Sequence, residues 1–118
     1  MPKKIKILIV DSDIDLLSRL YLTLLHKGYK VEATNEAEEI IARIDRFRPN
    51  LLVINDFMDG LTGEILRDLY KRKIAVLLIT DSDEFSSEHR FRKMEIIHRP
   101  VDLLLLDLKI KELMNIVA

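Results

Sequence analysis

Pro49-Asn50-Leu51-Leu52-Val53-Ile54-Asn55-Asp56-Phe57-Met58, closing on Gly63, is the stretch on which the fold turns. Residues 51–54 are apolar without interruption, short, and bounded by a proline before and polar residues after. Such a run reads as a strand buried on both faces, which is the habit of parallel sheets. Its end delivers Asn55 to the mouth of a sheet, beside the ends of other apolar runs at Asp11, Thr80 and Arg99. Working outward, residues 5–10 form a first strand stopped by acids, and residues 29–33, 75–79 and 94–97 three more. Between them lie amphipathic stretches. Leu16, Leu20 and Leu24 recur at helical spacing across 13–27, with an acidic first turn and Gly28 as the stop. Ile40, Ile41, Ile44 and Phe47 stripe a helix over 36–47, and residues 64–70 predict a shorter one. A polar stretch over 81–93 is expected to hold one weak helix, and 101–117 a closing helix. Five strands alternating with helices imply an α/β doubly wound parallel sheet with helices on both faces.

The chain of 118 residues suffices for one core and not for two, so 1–118 is expected to be a single domain. With 48% apolar and 33% charged residues it has the composition of a folded globular chain rather than a disordered one. A net charge of −1 offers no global field for nucleic acid or an anionic membrane, so neither is an expected partner. Cysteine is absent, which removes disulfide frameworks and thiolate metal sites and fits a cytoplasmic setting. The first apolar run is too short for a secretion signal, and none approaches the length of a membrane span.

Ligand chemistry in such sheets gathers at the carboxyl ends of the strands. Those ends carry Asp11-Ser12-Asp13, Asn55-Asp56, Thr80-Asp81 and His98-Arg99-Pro100. No glycine follows the first strand, so phosphate-loop and dinucleotide readings are weak. Taken together and in order, these residues resemble the receiver domain of bacterial two-component response regulators. Val10-Asp11-Ser12-Asp13 resembles that family's Val-Asp-Asp-Asp/Glu turn, and Gly28-Tyr29-Lys30-Val31 its entry into the second strand. The block from Pro49 to Met58 and Gly63 is similar to Pro-Asp-Leu…Asp-x-x-Met-Pro…Gly, while Ile79-Thr80 and Arg99-Pro100 resemble its Thr and Lys-Pro signatures. The resemblance implies a flavodoxin-like sheet of order 2-1-3-4-5 and a cis peptide bond at Pro100.

It also implies a chemistry that this chain only partly carries. The family's pocket uses acids to hold Mg²⁺, an aspartate to accept a phosphoryl group, and Thr/Ser and Lys side chains to bind its oxygens. Asp11 matches the first acid, Ser12 stands for the second, Asn55 for the nucleophile, Thr80 for the hydroxyl and Arg99 for the lysine. An amide nitrogen is no nucleophile, and two of three pocket carboxylates are gone. No cofactor is therefore expected, and Mg²⁺ is expected to bind weakly, through Asp11 if at all. Ile96 falls where the resemblance implies an aromatic switch residue, and Asp59 replaces the proline after Met58. Asp81 has two readings, an ion pair with Arg99 or a cap on the following turn. Asp56 is the alternative acceptor, but one step along a strand turns a side chain to the other face. His26, His89 and His98 show no metal-ligand spacing and read as surface residues.

The helices carry more leucine than one core needs. Leu17, Tyr21 and Leu25 form a second stripe on the first helix, and Leu103, Leu104, Leu105 and Leu106 are consecutive on the last. A helix in a layered domain buries an apolar face about 100° wide and cannot hide four successive leucines. Leu17, Tyr21, Leu25, Leu103, Leu104 and Leu105 are therefore the expected interface, for a protein partner or a second copy of the chain. The reading favoured is a pseudo-receiver of a phosphorelay, non-enzymatic and acting by protein contact. Its rival is a working receiver that takes phosphate from a histidine kinase on Asp56, with an output domain elsewhere. A small α/β enzyme is weaker still, because no nucleophile–base pair is present.

Overall fold

The computed structural model describes residues 4–81 and 91–115. Five parallel strands, β1 (Lys6–Val10), β2 (Lys30–Thr34), β3 (Leu51–Asn55), β4 (Ala75–Thr80) and β5 (Lys93–His98), form one sheet of order β2-β1-β3-β4-β5. The apolar content of each strand follows its place. Central β3 and β4 are buried at every residue, whereas β5 on the edge is mostly half-covered. The expected order and class are those observed.

The helices are α1 (Ile14–His26), α2 (Ile40–Phe47), α3 (Gly63–Lys71) and α4 (Leu103–Leu113). On one face Leu16, Leu20 and Leu24 of α1 and Leu106, Ile110 and Leu113 of α4 pack on Ile7, Ile9, Val53 and Leu77. On the other, Ile40, Ile44 and Phe47 of α2 and Leu69 of α3 pack on Leu8, Val10, Leu52 and Leu78. Alternate side chains of each central strand feed opposite cores, and each fully buried leucine contributes about 2 kcal/mol.

Local chemistry sets the boundaries. The Asp13 carboxylate accepts the Leu16 N–H at 3.1 Å, so the first helix begins one residue later than periodicity alone predicts. It ends where Gly28, at φ +95°, lets the Gly28 and Tyr29 N–H groups donate back to the Leu25 and Leu24 carbonyls. The expected helix over 36–47 instead opens with a 3-10 turn at Ala37–Glu39, because extended Glu36 offers no side-chain cap. Asp102 accepts N–H bonds from Leu104 and Leu105, which starts the closing helix at Leu103 rather than at 101. The closing helix ends at Leu113, with Met114 as its cap, short of the expected 117. The expected weak helix, apart from its edges, and His89 lie outside the described residues.

Candidate functional site

The register of the sheet assembles the site. Val10 lies opposite Ile54 and Asn55 opposite Ile79, so Asp11, Asn55 and Thr80 line up across the carboxyl ends of three adjacent strands. Thr80 pairs with His98, which brings Arg99 in from the edge, and the Arg99 N–H donates to the Thr80 carbonyl at 3.1 Å. Asp11, Asn55 and Thr80 are buried, Ser12 and His98 are exposed. The Arg99–Pro100 peptide bond is cis, as the resemblance implied.

Asp11 is the hub. Its side chain is fully buried, and both carboxylate oxygens are engaged. Oδ1 accepts the Asp13 N–H at 2.9 Å and the Asn55 Nδ2–H at 3.3 Å. Oδ2 accepts from Arg99 Nη2 at 2.8 Å. Asn55 is equally committed, because its Oδ1 accepts the Phe57 N–H at 2.9 Å. The amide thus bridges the hub carboxylate and the following turn, an arrangement a second carboxylate could not make without repulsion.

Arg99 meets three acids. Besides Asp11 it lies 3.5 Å from Asp13 and 3.5 Å from Asp81. The expected Asp81–Arg99 pair is therefore present but secondary, since the Asp81 side chain is 67% exposed while that of Asp11 is buried. Sequence reading missed the Asp11–Arg99 bond. A signal for it existed: a buried carboxylate deprived of its acidic companions needs a cation, and Arg99 is the one charged side chain of that sign at the strand ends.

One wall is braced from the second strand. The Asp11 N–H donates to the Thr34 carbonyl at 3.3 Å, and the buried Thr34 hydroxyl donates to Glu39 Oε1 at 2.7 Å. That hydroxyl bond, followed by the charge of Arg43, holds the Glu39 carboxyl below its ordinary range. Asp56 is half-buried in the turn beyond Asn55, its N–H donating to the Ile79 carbonyl at 3.3 Å. Ile96 packs on the α2–α3 side of the sheet, against the core that holds Leu78.

Of the expected surface residues, Leu25, Leu103, Leu104 and Leu105 are exposed, with Leu104 at 75%. Leu17 and Tyr21 lean on the α1–α4 core and are half-covered. Leu22 and Leu108, which the stripe argument did not single out, are exposed as well. Among the described residues no helix is long and apolar enough to cross a membrane.

Comparison with known proteins gives this geometry its context. No family model matches the chain. A receiver domain of Methanospirillum hungatei superposes with a TM-score of 0.83 at 27% identity, covering 96% of this chain and 95% of that one. A response regulator from Clostridium difficile gives 0.82 at 22% identity, with 95% and 97% covered. In sequence, PhoP of Bacillus subtilis, the alkaline phosphatase synthesis regulator, is 29% identical over 82 residues, 67% of this chain and 34% of that protein. The two-component response regulator PhoP of Pseudomonas aeruginosa is 30% identical over 78 residues, 64% of this chain and 35% of that protein. This chain has the fold of response-regulator receiver domains and resembles that family in sequence. It spans about a third of the length of these two curated relatives. Receiver domains are generally non-enzymatic signalling modules that work with histidine kinases and output domains.

Proposed function

We propose that this receiver signals without being phosphorylated, as a cytoplasmic, non-enzymatic module that acts by protein contact. One observation carries the reading: the Arg99 guanidinium sits on the Asp11 carboxylate at 2.8 Å, with the other Asp11 oxygen already shared by Asn55 and Asp13. A receiver's phosphoryl chemistry needs a nucleophilic carboxylate at the end of β3 and acids free to hold a divalent ion. Position 55 offers an amide, and Asp11 is neutralised from within the chain. On this reading Mg²⁺ does not fit these residues: no three acidic or histidine side chains converge to hold a metal among the described residues. The partner surface is the exposed leucine face of α4 with Leu25 of α1, and its simplest occupant is a second copy of the chain.

The test is a small-molecule phosphodonor with Mg²⁺, followed by intact mass. The expected result is no stable gain of about 80 Da, the mass of one phosphoryl group. Such a gain, mapped to Asp56, would establish the rival reading of a relocated acceptor. A companion variant sharpens it. Asn55→Asp places a second carboxylate against Asp11 and removes the Nδ2 donor, so it is expected to destabilise by about 1–3 kcal/mol. It is also expected to leave phosphorylation absent, because Ser12 and Arg99 still deny the cation its site; labelling of this single variant would show that the amide alone was the obstacle.

A further inference from the structure

The opposite end of the sheet presents a second feature, unrelated to the strand-end pocket. Where β3, β4 and β5 begin, beside the end of α4, lies an open groove of about 540 Å³. Three cations line it, Lys73, Arg92 and Lys93, together with Asn50, and among the described residues no acid does. Elsewhere Arg43, Arg72 and Arg99 each meet at least two acids and Arg46, Lys27, Lys109 and Lys111 meet one, while surface cations scattered singly, such as Lys30 and Arg48, meet none among the described residues. Among the described residues none of the three groove cations has an ion pair. What sets these three apart is that they border one depression together. Like charges gathered around one depression repel one another, and an anion placed between them relieves the repulsion.

We propose that this groove binds an oligophosphate anion of nucleotide size. The volume falls within the range of about 300–1,000 Å³ usual for small-molecule sites. Lysine and arginine are the side chains that recognise phosphate oxygens, the first as a point charge and the second as a fork. Asn50 adds a neutral donor: its Oδ1 already accepts the Lys6 N–H at 2.8 Å, which leaves the NH₂ group for a ligand. The carboxyl end of α4 points negative dipole toward the same region, but this amounts to about half a charge against three full ones. Half-buried Met114 borders the groove, and its thioether is suited to the face or edge of a base. The site lies at the strand starts while the Asp11 pocket lies at the strand ends, so either reading can fail without the other.

The experiment is an amide NMR titration of the whole chain with tripolyphosphate, with ADP and with adenosine, all without divalent ions. Saturable shifts at Lys73, Lys93 and Met114 with either phosphate, and none with adenosine, are expected. Tighter binding of ADP would assign the carrier as a nucleotide, and tighter binding of tripolyphosphate an inorganic chain; both support the site. The surface pair Lys73→Gln with Lys93→Gln should weaken binding by about tenfold, as should raised salt, while Lys73→Arg with Lys93→Arg retains it. A thermal melt confirms that each variant is folded. The proposal is overturned by shifts that do not saturate, by shifts indifferent to the glutamine pair, or by binding of a single-stranded RNA oligonucleotide where neither small anion binds.

Discussion

Arg99 decides the character of the pocket, and its removal is the sharpest test at the level of single side chains. Arg99→Met would leave Asp11 buried with its charge uncompensated, at an expected loss of about 3 kcal/mol read from urea unfolding. Arg99→Lys should recover part of this, since an ammonium supplies the charge without the planar fork. Asp81→Ala, by contrast, removes a mostly exposed partner and is expected to shift stability by less than about 0.5 kcal/mol. If Arg99→Met proves neutral, the Asp11–Arg99 bond does not organise the site. The identities of Asp11, Ser12, Asn55, Thr80 and Arg99 were legible in the chain because each follows an apolar run. Their wiring was not. A sequence shows which residue reaches the mouth of the sheet, but which of three acids an arginine prefers depends on burial, and burial is a property of the assembled strands.

Elements were legible to the extent that their ends carry side-chain instructions. Asp13 and Gly28 bracket α1, and the leucines between them leave little choice of face. Residues 36–47 carry the stripe of a helix but lack a cap, and the first turn tightened accordingly. A further tie was invisible in the sequence because its members are far apart. Asp107 of α4 is buried and accepts the Tyr29 hydroxyl at 3.4 Å, with Lys111 at 3.2 Å and Lys27 at 3.7 Å. This cluster fastens the start of β2 and the end of α1 to α4. Burial, then the charge of Asp107, raises the Tyr29 phenol above its ordinary value of 10.0. A group whose folded pKa is raised contributes fully below its unfolded value and loses that contribution as pH rises through the folded one. Stability should therefore fall in alkali as Tyr29 ionises beside a carboxylate. Tyr29→Phe should fall less steeply over the same range, as measured by denaturant midpoints at pH 8 to 11 (a span of about three units around the phenol pKa). Identical slopes would remove Tyr29 from the linkage.

At the scale of the molecule, the sheet separates two cores, and α4 serves one of them with fewer residues than its leucine content allows. Leu106, Ile110 and Leu113 are inside, while Leu103, Leu104, Leu105 and Leu108 remain outside. Leu104→Asp with Leu108→Asp should leave unfolding within about 0.5 kcal/mol of the parent, because neither side chain contributes to the core. The same pair should abolish self-association measured by light scattering, and a parent chain that is monomeric at high concentration would remove the second-copy reading. A different consequence follows from the guanidinium at the heart of the pocket. A counter-ion carried on the backbone cannot diffuse away, so neither dilution nor a chelator strips it from its carboxylate. On the proposed reading that setting is built into the polypeptide, and the strength of the signal would follow the number of molecules a cell makes and how quickly it degrades them.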